Sequence, residues 1–145
     1  MQYVRSALSV LCAPLLYGVL CVPLLGVLLA MYPDLLNEAG GTYDVALTLK
    51  SELLQGIMLV IIGFVVALVA PSRPMLHTSL AVLLMLGIGV SVQFSFWDSM
   101  LVWHHFVFFG LIIGGLYLGA WLKGIILPSY MQQVDERESG WDQDA

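Results

Sequence analysis

The sequence predicts an all-α membrane protein, an antiparallel bundle of four transmembrane helices with both termini cytoplasmic. Three observations predict it. Hydrophobic residues make up 60% of the chain and charged residues 10%, with a mean hydropathy of +0.94. Soluble domains average about 45–50% apolar and about 25% charged. Ten acidic and five basic residues cannot cover the outside of a water-soluble fold of 145 residues, so lipid must be the solvent for most of the surface. The apolar residues also fall into four runs near the roughly 20 residues that a helix needs to cross the hydrocarbon. Finally, the runs are continuously apolar. A membrane barrel would alternate apolar and polar positions, and only helices or closed barrels satisfy every backbone group in a bilayer.

The first run covers residues 7–31. Arg5 precedes it as in a signal peptide, but a signal h-region is about 7–15 residues, so a retained span is expected. Pro14 and Pro23 lie within it and predict a kink or broken turn. Cys12 and Cys21 fall in the same run, about 13.5 Å apart along a helix, too far to bridge. Neither follows the small residue of a lipoprotein cleavage site, so both read as packing residues. YPDLLNEAGGTYD, residues 32–44, reads as a loop from its Pro, Asn, Asp and Gly pair, with Thr42 a candidate cap for the next helix.

The second span is expected over 43–70, PSRP at 71–74 is a tight turn, and the third span follows over 75–96. So short a link joins antiparallel neighbours. Trp97, Asp98 and Ser99 form a second turn, and the fourth span covers 100–122. Residues 1–127 are thus one domain, and 128–145 an acidic polar tail ending QQVDERESGWDQDA, expected to be partly disordered.

Basic residues set the orientation. Four spans place the N-terminus, the 71–76 turn and the tail on one side, with Arg5, Arg73, Lys123 and Arg137, against Lys50 on the other. The positive-inside rule puts the former side in the cytoplasm. Tyr32, Tyr43, Trp97 and Trp103 then belt the outer interface, and Trp121 and Tyr130 the inner one. The architecture suits a multi-pass protein of a bacterial inner membrane.

Candidate chemistry gathers at the outer ends of the spans. Glu52, His104 and His105 are candidate metal ligands, with Asp98 behind them; imidazole and carboxylate together suit zinc, copper or iron. Adjacent helical residues point about 100° apart, so the two histidines aim at one ion only with help from a second helix, and Glu52 is the available donor. The competing reading is interfacial histidines bonded to loop carbonyls or lipid headgroups. Glu52, Gln55 and Gly56 share one helix face and with Gln93 and Ser95 could line a small polar pocket. His77 lies at the opposite end of the third span, about 30 Å from His104, which excludes bis-histidine haem between them. Below Gln55 the second span reads IMLVIIGFVVALVA, without an ionisable group, so no conduction path crosses it.

Gly110 with Gly114 and Gly115 with Gly119 form two consecutive GxxxG pairs on the fourth span, which permit close helix packing in lipid, within the bundle or against another chain. No nucleophile elbow, phosphate-binding loop or CxxC pair is present, and the reading leans away from an enzyme. The net charge of −5 argues against nucleic acid as partner. The leading expectation is a non-catalytic accessory or assembly subunit, held by helix packing to a membrane complex or to a second copy. The alternative is a metal- or small-ligand-binding membrane protein with a polar site at the outer interface.

Overall fold

The computed structural model describes residues 2–127, and every regular element within them is helical. The expected acidic tail, 128–145, lies outside the described residues. In chain order the elements are α1 (Gln2–Leu16), a π-helical turn (Tyr17–Cys21), α2 (Val22–Ala30), a 3-10 turn (Pro33–Leu35), α3 (Val45–Val69), α4 (Pro74–Ser95), a 3-10 turn (Trp97–Ser99) and α5 (Val102–Ile126). The run Tyr3–Ala30 and the helices α3, α4 and α5 are four stretches long and apolar enough to cross a membrane. At 1.5 Å per residue, 25 residues reach about 37 Å, beyond the roughly 30 Å of hydrocarbon.

The break in the first span has a local cause. Pro23 has no amide hydrogen, and its ring presses on the carbonyl four residues earlier, at Val19. The chain responds by widening: the Val22 amide donates to Tyr17 O, five residues back, and the turn between Pro14 and Pro23 is π-helical. The kink expected from the prolines is therefore a register change that leaves the helix continuous.

The remaining boundaries are set by caps. Asp44, not Thr42, is the N-cap of α3: its carboxylate accepts from the Leu47 amide at 2.7 Å. Thr42 serves the loop instead, donating to Leu35 O and accepting from the Asp44 amide. Helix α3 accordingly starts at Val45, two residues after the expected start. Pro74 opens α4 as a first-turn proline, preceded by Arg73 in the left-handed region at φ 44°.

Helices α3 and α5 are the closest pair, and glycines are the reason. A Cβ on Gly63 would collide with the backbone of Leu116, and one on Gly119 with the Val60 carbonyl and the Phe64 amide. A Cβ on Gly115 would sit 2.7 Å from that of Leu59. The apolar core forms around this contact from Leu59, Ile62 and Val66 of α3, Ala81, Val82 and Met85 of α4, Phe108, Ile112 and Leu116 of α5, and Ala13 of α1. The first span packs more loosely. Only 11% of its most apolar stretch is buried, against 39% for α3 and for α5.

Candidate functional site

The buried faces of α3, α4 and α5 change character along their length. Through the middle they carry Leu59, Ile62, Val66, Ala81, Met85, Ile112 and Leu116; near the 97–99 turn they carry Glu52, Gln55, Gln93, His104 and His105, and at the far end His77, Thr78 and Lys123. The second group continues the same helical stripes as the first, so each polar side chain is delivered to the bundle interior by the periodicity that builds the core. Glu52, Gln55, Gln93 and His104 are all at most 5% exposed.

The loop 31–44 closes this end. Asn37 organises it: its side-chain carbonyl accepts from the Ala39 and Gly41 amides, and its Nδ2 donates to Ser99 O at 2.8 Å. The Tyr43 hydroxyl donates to Asp98 O. Gly41 packs directly on the Ser99 carbonyl, where a Cβ would not fit. The loop and the 97–99 turn are thereby clamped together over the polar cluster.

Within the cluster, groups pair off. Glu52 Oε1 lies against His104 Nδ1. The two are in contact without hydrogen-bond alignment, and Glu52 Oε2 has no hydrogen-bond partner among the described residues. The Ser51 and Thr48 hydroxyls do not serve the carboxylate, because each donates to a backbone carbonyl four residues back, Leu47 O and Asp44 O. Tyr17, carried inward by the π-helical turn, donates to Gln55 Oε1 at 2.7 Å. His105 turns the other way from His104. Its Nδ1 faces Gln93 Oε1, its Nε2 faces Trp97 O at 3.3 Å, and its ring stacks on that of Trp97 with centroids 4.4 Å apart.

Beside the pairs runs a cleft of about 460 Å³ between the first span and α4. Its walls are mostly apolar, with Pro14, Val22, Leu25, Ile88, Val92 and Phe96 among them, and its polar edge consists of Tyr17, Gln55, Gln93 and His104. Val22, Ile88 and Val92 are exposed on the outer surface of the bundle, so the cleft opens sideways, where lipid would lie.

The expected ligand set is therefore only partly assembled. Glu52 and His104 meet; His105 has both ring nitrogens engaged elsewhere. Asp98 contributes its backbone carbonyl to Tyr43. Among the described residues no three His, Cys, Asp or Glu side chains come together around a point that would hold a metal ion, and zinc sites use three or four protein ligands. Of the expected polar pocket, Gln55 and Gln93 take part, Ser95 is exposed and bonded to Ser91 O, and Gly56 packs on Leu111. Tyr17 and the cleft itself escaped sequence reasoning. Their signal was the proline pair on either side of Tyr17. Comparison of the chain with known protein families, with curated proteins and with solved structures finds no match.

Proposed function

We propose that this chain is a small multi-pass membrane protein that binds a lipid-like ligand in the cleft between its first span and α4, at the outer bilayer interface. One observation carries the reading. A carboxyl group buried among apolar helices, that of Glu52, has no hydrogen-bond partner among the described residues and leans on a histidine that lines an open cleft. Buried polar groups without partners are rare in folded proteins. Such groups inside a span mark a functional site by default. The cleft volume falls within the roughly 300–1,000 Å³ typical of small-molecule sites, and its make-up of apolar walls with a few convergent polar groups is typical as well. The outer assignment follows from the bias of Arg5 and Arg73 to the opposite end.

The test is chemical. Small molecules are extracted from protein purified in mild detergent and compared with those from His104→Leu. A lipid-like molecule should travel with the natural chain and be depleted from the variant; identical extracts would sink the reading.

A second reading, docking on a larger membrane complex or on a second copy, has one observation in its favour. At Gly110 and Gly114 a Cβ would meet no other part of the bundle within 4 Å among the described residues, unlike at Gly115 and Gly119, which the bundle itself uses. Cysteine crosslinking at positions 110 and 114 in native membranes tests it, and recovery of monomer alone would exclude it.

A further inference from the structure

We infer that the end of the bundle away from the cleft's polar edge binds the phosphate of an anionic lipid, with Lys123 at the centre of the site and Arg73 at its rim. This site is separate from the cleft and does not depend on what the cleft holds. Lys123 stands in the last turn of α5 and is only 5% exposed. A lysine is almost never so deeply buried without a partner. Its end group offers hydrogen-bond donors and no acceptor, so the partner must bring acceptors, and an anion brings the strongest. Among the described residues Lys123 forms neither an ion pair nor a side-chain hydrogen bond.

Packing fixes the level at which Lys123 lies. Helices α3 and α5 run parallel, with Gly56 on Leu111, Gly63 on Leu116 and Gly119 on Phe64. Helix α4 runs against them, with Gly89 on Phe108 and Ile112, and Ser79 bonded to Tyr117. One turn further along, these registers bring Lys123 level with the last turn of α3 and the first turn of α4, beside the link at 70–73. Buried His77 is in the same turn of α4, with Nδ1 facing Arg73 O at 3.3 Å. No carboxylate answers this end. The acidic residues among the described ones are Asp34, Glu38, Asp44, Glu52 and Asp98, all in the 31–44 loop, the 97–99 turn or the cluster beneath them. The opposite end carries Arg5, Arg73 and Lys123. The outward surface at the level of Lys123 is apolar, with Met75, Leu76, Trp121 and Ile125 exposed, so an anion seated there has acyl chains as its natural companions. A lipid phosphodiester supplies both, and its oxygens accept from an ammonium and from the guanidinium fork. Basic pockets between spans on the cytoplasmic side take such headgroups, and the positive-inside rule places this end on that side.

Native mass spectrometry tests it. The full chain, stripped of lipid in detergent, is titrated with dioleoylphosphatidylglycerol, dioleoylphosphatidylcholine or inorganic phosphate. One saturating phosphatidylglycerol adduct is expected, about tenfold tighter than that of phosphatidylcholine and resistant to millimolar phosphate. Lys123→Gln should abolish the preference, while Lys123→Arg should keep it. Lys50→Gln removes a cation from the other end and should leave the preference intact, as should His104→Leu in the cleft. Thermal unfolding gives a second readout: phosphatidylglycerol should raise the unfolding temperature of the natural chain and of Lys123→Arg, and not that of Lys123→Gln. Equal affinity for the two lipids, equal effects of Lys123→Gln and Lys50→Gln, or displacement by phosphate would overturn the assignment. So would a preference missing from the natural chain that emerges when Asp135→Asn, Glu136→Gln and Glu138→Gln are combined, because the anion would then be the chain's own acidic segment.

Discussion

At the scale of single residues, the bundle keeps its polar side chains by pairing them across helices. Glu52 of α3 needs His104 of α5, and Gln93 of α4 needs His105. Removing one partner of a buried polar contact leaves the other unsatisfied and typically costs about 1–3 kcal/mol, more for a charged group, whereas replacing both by apolar residues can be nearly neutral. Glu52→Leu and His104→Leu should therefore each lower the stability of the detergent-solubilised protein markedly, and the double variant should recover most of the loss. Denaturant titration of the four proteins measures this directly; simple addition of the two single losses would mean that the pair does not couple. His105→Phe separates two roles of one ring. The stack on Trp97 survives, while Gln93 loses its partner, with an expected loss of about 1–3 kcal/mol. If His105→Phe is instead as stable as the natural chain, the hydrogen bond to Gln93 contributes nothing.

At the scale of the helices, the glycines and prolines do different work. Gly119 lets α5 lie on the backbone of α3, so Gly119→Leu must push the helices apart. Overpacking of a core costs about 1–3 kcal/mol, and here the colliding atoms are backbone. Gly114, one turn or so away with open space around it, should accept leucine without loss in the monomer. The contrast is measurable as two thermal unfolding curves in the same detergent, and equal shifts would contradict the packing. Both glycine pairs were legible in the sequence as a four-residue spacing, but which pair the bundle uses was not. That depends on the rotation of α5, fixed by long-range packing that no local pattern encodes. The prolines show the same limit. Their positions gave away a break in the first span, yet the break is a π-helical turn that sets Tyr17 against Gln55. Pro23→Ala restores an amide at position 23 and relieves Val19 O, so the turn should tighten to α-helical register and rotate Tyr17 by about one residue, 100°. Coupling between Tyr17→Phe and Gln55→Met, about 0.5–1.5 kcal/mol for a net hydrogen bond, should vanish in the Pro23→Ala background. Coupling that persists there would mean the π-helical turn does not position the tyrosine.

At the scale of the whole molecule, buried polar side chains lie at both ends of the bundle, with His77, Thr78 and Lys123 at one and a larger cluster at the other. Glu52, Gln55, Gln93, His104 and His105 all lie toward the 97–99 turn, under the loop that Asn37 and Gly41 fasten to Ser99. This much followed from the sequence, because a carboxylate, two amides and two histidines stand out in apolar runs and four antiparallel spans bring those run ends to one level. Their partners did not follow, since adjacent histidines point apart and each one's choice depends on which helix it faces. The grouping gives membrane orientation a consequence for function. An even number of spans puts residue 72 and the N-terminus on one side and residue 38 on the other, and the arginines favour the first as cytoplasmic. With Cys12 and Cys21 replaced, Glu38→Cys should react with a membrane-impermeant maleimide in intact cells, and Ser72→Cys only after permeabilisation. The reverse pattern would move the cleft to the cytoplasmic leaflet, and labelling of both from outside would break the four-span topology. With the expected pattern, a ligand entering sideways between the first span and α4 comes from the outer leaflet. Its head would then stop at the level of Glu52, about 10 Å into α3, with the apolar core beneath holding no polar group of α3 to draw it further.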